Sequence, residues 1–414
     1  IQSTRKDGFL AESGPNTIQE TSPEISKLIG ELGLESRRLY THADAKTRFV
    51  VRAGRPVALP SSAAGIFLSP LLSARAKLAL LAEPFVPRRP DDTEESVAEF
   101  VTRRLNREFL DRLADPLVGG IYAGDPDRLS ARHALPRLAQ AEAEFGSLIR
   151  GKILGARKRK KSGQIARDRA RGFSFDEGLQ VLPDTLAARL GPAVIFNAPI
   201  ARLAKIGNIW RVTSAQDERE YAAVVFCGTA YALAELKITA PSPVAVSEFS
   251  RIRYAPVASV VLGFRRRDVA HACQGFGMLV PKIEGFKILG TIFSSALFPN
   301  RAPADHVLLS SYVGGERHSE LAELEPQELV KLTCRDLRAL LGINGEPVFQ
   351  HTTLYPRAIP QYNVGYGTFK QLLSDIESAA AGLLFAGHFR DGISLADSIV
   401  SGVNAAARAE NFIK

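Results

Sequence analysis

The stretch that most constrains this chain lies near its C-terminus, Leu383-Leu384-Phe385-Ala386-Gly387-His388-Phe389-Arg390-Asp391-Gly392-Ile393, running on to Ser398-Ile399-Val400-Ser401-Gly402. An apolar run stops at Gly387. A short polar loop containing Gly392 follows, and then Ile399, Val400 and Val403 keep helical spacing. Strand, glycine loop and helix in this order let backbone N–H groups approach an anion. An ordinary strand-to-helix connection has the same order, so spacing alone leaves both readings open.

The rest of the composition narrows the class. A chain of 414 residues, 45% of them hydrophobic, can bury a large core and predicts two or three domains. Cys227, Cys273 and Cys334 are too far apart to read as a disulfide framework or a zinc site, which makes a reducing compartment the expectation. No run reaches the ~18 apolar residues of a spanning helix, so neither a transmembrane segment nor a signal peptide is expected. The net charge of +9 is local: Arg157-Lys158-Arg159-Lys160-Lys161 with Arg167, Arg169 and Arg171, against Asp168, account for +7 of it. A nucleic-acid binder would spread such residues over a folded face with aromatics between them, so none is expected. A solvated loop and contact with an anionic membrane surface remain as readings of this run.

Local signals divide the chain further. Ile1 to Leu10 reads as strand with a turn at Asp7-Gly8. Ser22 and Pro23 open a helix with Ile25, Leu28, Ile29 and Leu32 on one face, and Gly33 ends it. Thr47 to Val51 alternates as a strand turned by Ala53-Gly54, with Phe49 and Val51 on one face and Arg48, Val50 and Arg52 on the other. Residues 60 to about 150 are mostly helical. Phe67, Leu68, Leu71, Leu72, Leu78, Leu80 and Leu81, with Arg75 and Lys77 among them, fit either a core helix or a monotopic membrane face. Asp92-Thr93 is expected to cap the helix that carries Val97, Phe100, Val101 and Leu105. Glycines crowd Gly119-Gly120-Ile121-Tyr122-Ala123-Gly124, which predicts close backbone approach or tight turns. Beyond the basic run, a helix ends near Gly191, and short strands are expected at Val194–Phe196, Ile209–Thr213 and Val224–Cys227. From Ala258 the pattern is strand-rich.

Several of these segments together resemble the protoporphyrinogen oxidase family, within the wider flavin amine oxidase group. The resemblance is carried by Gly14-Pro15-Asn16, by Gly120-Ile121-Tyr122-Ala123-Gly124-Asp125-Pro126 with Leu129-Ser130, and by Cys227-Gly228-Thr229. Gln274 to Pro281, Leu289 to Ser295, Leu297 to Pro303, Ala358-Ile359-Pro360-Gln361-Tyr362 and the Ala386-Gly387 segment add to it. The chain departs from the family pattern at His388, where Asn is frequent, at Tyr366, where His is expected, and at Tyr312, where an aromatic without hydroxyl is commoner. The family's Gly-x-Gly-x-x-Gly unit with its ribose-binding acid, expected ahead of Ile1, does not occur in these residues; Gly275-Phe276-Gly277 and Gly365-Tyr366-Gly367 both lack the third glycine. The expectation is a family member lacking that βαβ unit and purifying without FAD.

The resemblance implies a mixed α/β fold. It has an FAD/NAD(P)-binding-type domain, truncated at its N-terminus, over 1–40, 172–235 and 356–414. A strand-rich substrate domain is expected over 41–58 and 236–355, and a helical membrane-facing domain over 59–171. It implies oxidation of protoporphyrinogen IX by FAD with oxygen as acceptor, on the cytoplasmic side of a bacterial inner membrane, and leaves a homodimer open. Coproporphyrinogen III oxidation is the close rival, and a flavin-less porphyrin-binding remnant is the rival of another class. The implied flavin contacts are Gly14, Pro15, Asn16, Ala386, Gly387, His388, Gly392 and Ile393. The implied substrate contacts are Arg48 for a propionate, Leu279, Ile292 and Tyr312 as walls, and Gly120 as close backbone. No catalytic side chain and no metal site is expected, which fits chemistry carried by a cofactor.

Overall fold

The computed structural model describes the chain except for residues 61, 90–92 and 163–169, and gives the backbone alone for 63 and 156–162. The expected cap residue Asp92 and the basic residues Arg167 and Arg169 therefore lie outside the described residues. The chain divides into two compact units, one formed by Ile1–Thr17, Arg37–Val181 and Tyr254–Val364, the other by Ile18–Ser36, Leu182–Arg253 and Gly365–Lys414.

The first unit is built on a seven-stranded sheet. In order across the sheet the strands are Phe349–Pro360, Tyr254–Arg265, His306–Gly314, Ile288–Ile292, Gly277–Leu279, Arg48–Arg52 and Arg55–Ala58. Every pairing is antiparallel except Gly277–Leu279 against Arg48–Arg52. Ala53 (φ 50°) and Gly54 (φ 71°) turn the last two strands. The helix Pro326–Leu341 packs its apolar stripe on one face of the sheet, against Val51, Ala258, Val260, Leu262, Met278, Leu309 and Val313. Phe49 packs on that same core, as the alternation predicts. Ahead of the sheet, Ser3–Lys6 and Phe9–Glu12 pair as a hairpin through Asp7 (φ 52°) and Gly8 (φ 78°), the left-handed pair that a two-residue turn demands.

The helical segment of this unit corrects two expectations, the cap at Asp92-Thr93 and the loop at the basic run, and divides the Phe67–Leu81 cluster between its two readings. The helix Val97–Arg104 is capped by Ser96, whose side chain and Glu99 form a reciprocal capping box. Leu71 and Leu72 are core residues, 1% and 5% exposed, whereas Leu68, Leu78, Leu81 and Phe85 are 86%, 65%, 56% and 82% exposed. The basic run does not begin as a loop: the helix Leu148–Ser162 continues through Arg157–Lys161. That helix is anchored by Glu83, fully buried, which accepts from Leu148 N (2.8 Å), Ile149 N (3.2 Å) and Ser147 Oγ (2.6 Å) and pairs with buried Arg104. A carboxylate at a helix N-terminus satisfies donors that have no intrahelical partner.

The second unit holds the helix Pro23–Glu31, opened by Ser22 and followed by Gly33 at φ 70°. It also holds a four-stranded sheet in the order Glu218–Tyr221, Ile209–Ser214, Ile200–Ile206, Lys237–Thr239. Val224–Phe226 and Leu383–Phe385 form a parallel pair. Residues 194–196 are not a strand; Ile195 and Phe196 are exposed and pair with nothing regular. Among the described residues no helix is long and apolar enough to cross a membrane.

Candidate active site

Sheet register decides what faces what in the first unit. Arg48 pairs with Gly277, Gly277 with Ile292, and Ile292 with Ser310. One step of two residues along the strands, Val50 pairs with Leu279, Leu279 with Gly290, and Gly290 with Tyr312. Directly paired residues share a face, and so do residues two apart. Arg48, Leu279, Ile292 and Tyr312 therefore stand on one face, opposite the core that the Pro326–Leu341 helix covers.

The helix Asp115–Tyr122 meets this face. It follows a π-helical turn at Leu110–Ala114 and ends at Ala123, φ 47°. Buried Asp115 and Arg317 pair at 3.0 Å; Asp115 also accepts from Lys282 N (2.7 Å), and Arg317 donates to Val280 O (2.9 Å). These bonds tie the helix to the end of the Gly277–Leu279 strand. A Cβ at Gly120 would overlap the Leu279 side chain, and one at Gly119 would stand 3.1 Å from the Arg317 guanidinium. The glycines permit the close approach that their clustering predicts. Arg48 is exposed, with its guanidinium 5.3 Å from the Phe276 ring centre, and among the described residues no carboxylate pairs with it.

The segment Gly14–Asn16 is held against the same face. Tyr312 Oη donates to Gly14 O (2.7 Å), and Asn16 Nδ2 donates to Tyr312 Oη (2.8 Å). Asn16 Oδ1 accepts from Ser294 Oγ (3.1 Å) and Ser310 Oγ (3.4 Å). Ser13 Oγ lies 3.0 Å from His351 Nε2, and burial lowers the pKa of that imidazole, keeping it neutral near pH 7. Just upstream, Glu12 and Arg301 form an ion pair with both side chains 1% exposed. Ser13, Ser310 and His351 carry no sequence signal, and Ser294 and Arg301 lie in segments that resemble the family without any sign of these contacts, since the roles of all five come from non-local pairing.

In the second unit, both strands of the parallel pair end in glycine loops that open capped helices. Cys227-Gly228 leads to Thr229, which caps Ala230–Glu235. Ala386-Gly387 leads through Gly392 to Ser394, which forms a capping box with Asp397 on Leu395–Ile413. Gly387 (φ 110°) and Gly392 (φ 137°) take conformations that side chains rarely adopt. Gly387 N donates to Ser401 Oγ (2.8 Å), which donates on to Asp391 Oδ2 (2.5 Å). His388 is half-buried, and burial lowers its pKa. Glu377 holds the loop from beneath, bonded to Arg390, to both Nη1 contacts of Arg408 (3.0 and 2.9 Å) and to Phe385 N (2.8 Å). Tyr366, 2% exposed, donates to Phe389 O (2.6 Å), so the tyrosine found in place of the expected histidine is a structural brace.

These features fit a dinucleotide. Ligands of open α/β sheets bind outside the carboxyl ends of parallel strands. In the second unit those ends carry a small residue: a Cβ at Gly387 would meet only Cys227 O at 3.5 Å and Gly228 O at 3.9 Å; in the first unit, one at Gly14 would meet only the Tyr355 ring and hydroxyl at 3.7–4.0 Å. Both positions are open to close approach. Among the described residues no cluster of His, Cys, Asp and Glu could hold a metal.

Comparison with known proteins agrees with this geometry. The family described as flavin containing amine oxidoreductase matches residues 1–409. The chain belongs to that family. This flavin amine oxidoreductase is 34% identical to protoporphyrinogen oxidase 2, chloroplastic/mitochondrial, of Arabidopsis thaliana, over all of this chain and 87% of that protein. It is 26% identical to coproporphyrinogen III oxidase of Bacillus subtilis, over all of this chain and 89% of that one. A crystal structure of a candidate protoporphyrinogen oxidase from Exiguobacterium sp. 255-15 superposes with a TM-score of 0.79 at 20% identity, covering 99% of this chain and 89% of that one. Membership makes the chain an FAD-dependent oxidoreductase of mixed α/β fold.

Proposed function

We propose that this flavin amine oxidoreductase oxidises protoporphyrinogen IX to protoporphyrin IX, with oxygen as the final electron acceptor, in tetrapyrrole biosynthesis. The observation that carries this reading is the shared sheet face. An apolar wall of Leu279, Ile292 and the Tyr312 ring stands with a cation, Arg48, that no carboxylate among the described residues neutralises. A flat apolar macrocycle bearing propionates needs those two things together. Arg48 binds a propionate as a planar fork. Leu279 and Ile292 exclude water from the ring system, and Gly120 lets helix backbone approach it. Gly14, Pro15 and Asn16, and separately Ala386, Gly387, His388, Gly392 and Ile393, hold FAD, which when bound supplies the two-electron acceptor chemistry.

The assay that tests the proposal offers purified holoenzyme protoporphyrinogen IX and coproporphyrinogen III in air and follows porphyrin fluorescence. A kcat/KM at least tenfold higher for protoporphyrinogen is expected. Preference for coproporphyrinogen would assign the other substrate, and turnover of neither would overturn the reading.

We infer also that the helical segment rests on an anionic membrane surface. Leu78, Leu81 and Phe85 recur at helical spacing and are exposed, with Arg75 beside them. Glu83, between them in sequence, anchors the helix whose backbone continues through residues 157–161. Replacing Leu68, Leu78 and Leu81 by Ser is expected to reduce liposome binding about tenfold or more, since each buried apolar group contributes roughly 0.8 kcal/mol per methylene. Flotation with phosphatidylserine vesicles measures it. Unmodified protein that fails to float at low salt would remove the idea.

A further inference from the structure

We propose that the Tyr312 hydroxyl is a positioning group that fixes the Gly14–Asn16 segment, so that the substrate-facing sheet and the flavin-side segment form one hydrogen-bonded body. The proposal rests on the reading above that Gly14–Asn16 contacts FAD. Tyr312 does two things at once. Its ring packs with Ala123, Ala255, Val257 and Leu289 on the first unit's sheet. Its hydroxyl donates to Gly14 O at 2.7 Å and accepts from Asn16 Nδ2 at 2.8 Å.

The donor–acceptor pattern has one consistent assignment. Asn16, 6% exposed, turns its amide oxygen to the hydroxyls of Ser294 and Ser310 and its amide nitrogen to Gly14 O (3.2 Å) and Tyr312. Flipping the amide would set two oxygens, Asn16 Oδ1 and Gly14 O, against each other. The phenol, spending its proton on Gly14, is then left to accept from Asn16. Ser294 and Ser310 in turn are 2.8 Å apart, which ties the network to the short helix Ser294–Leu297 and to the strand that carries Tyr312 itself. Burial raises the phenol pKa, so the neutral donor form is the one present. A phenylalanine keeps the ring and its packing. It removes one of the two donors to Gly14 O and leaves a buried Asn16 N–H without its acceptor. A buried donor left unsatisfied has no water to turn to, so the segment must shift to recover one.

The test compares Tyr312→Phe with the parent holoenzyme for FAD dissociation constant and for the visible spectrum of bound flavin. About tenfold weaker FAD binding is expected, with a shifted flavin absorption band, from the loss of one buried hydrogen bond. A merely structural tyrosine would lower thermal stability and leave the spectrum of the flavin that stays bound unchanged. An unchanged dissociation constant or an unchanged spectrum in Tyr312→Phe overturns the proposal. Gly14→Val is measured beside it. If Gly14→Val weakens FAD and Tyr312→Phe does not, the tie alone fails. If neither affects FAD, the flavin assignment of the segment fails with it.

Discussion

Arg301→Ala is expected to destabilise the protein by roughly 3–5 kcal/mol, because it strands a buried carboxylate. Arg301 and Glu12 are each 1% exposed and lie 3.4 Å apart. Arg301 also donates to Ser174 Oγ (2.6 Å) and Asn300 Oδ1 (2.9 Å) and lies over the Phe298 ring, while Glu12 accepts from Ser3 Oγ (2.6 Å) and Leu179 N (2.9 Å). Desolvation outweighs the attraction in both groups: burial raises the Glu12 carboxyl and pushes the Arg301 guanidinium down to about 10. The pair is therefore costly to break and contributes little net stability when intact. Its structural consequence is to fix the residue just before Ser13 and Gly14. A neutral double replacement, Glu12→Gln with Arg301→Met, should lose much less than Arg301→Ala alone, because no charge remains buried. The sign with pH follows from the raised carboxyl. Ionising Glu12 in the folded protein costs stability as pH climbs from the ordinary carboxylate range through its folded value, and Glu12→Gln should flatten that slope. Urea denaturation of the three variants checks this. A single variant within 1 kcal/mol of the parent would show that the pair is solvated.

Local chemistry made part of this fold legible and non-local pairing hid the rest. Asp7-Gly8, Ser22-Pro23 and Ala53-Gly54 each announce a turn or cap through their own backbone preferences, and each is found where expected. Ser96-Val97-Ala98-Glu99 carries a capping-box pattern as clear as the Asp92-Thr93 cap signal, and it is Ser96 that caps the helix. Leu71 and Leu72 could not be told from Leu78 and Leu81 because all four are apolar in one helical stretch; only the partners packed above them decide which are covered. Val194–Phe196 is β-branched and aromatic, but no neighbouring strand accepts its hydrogen bonds. At the candidate site, alternation separated Arg48 from Phe49 and Val51. It could not show that Gly277–Leu279 would pair in parallel with a strand more than two hundred residues away. The Tyr312 bond to Gly14 is invisible for the same reason.

Arg48→Ala is expected to raise KM for the porphyrinogen about tenfold to a hundredfold while kcat changes little. Strand alternation turns Arg48 from the core face, and register sets it with Leu279, Ile292 and Tyr312. Its exposed guanidinium rests near Phe276, 5.3 Å from the ring centre, an arrangement that orients the fork without neutralising its charge. A charge-assisted hydrogen bond to a propionate is worth roughly 1.5–3 kcal/mol, which sets that range in binding. The propionate is remote from the carbon that loses hydride, so it is held alike in ground and transition states, and the loss falls on KM. Arg48→Lys should recover only part, since an ammonium keeps the charge and loses the planar bidentate geometry. Flavin content should be unchanged in both variants, as Arg48 is not among the residues assigned to FAD. Steady-state kinetics over a range of porphyrinogen concentrations, with bound FAD measured in each preparation, decides the matter. An Arg48→Ala enzyme with full flavin and unaltered KM would leave Arg48 as a surface charge, and the macrocycle's carboxylates would then need another partner on the same face.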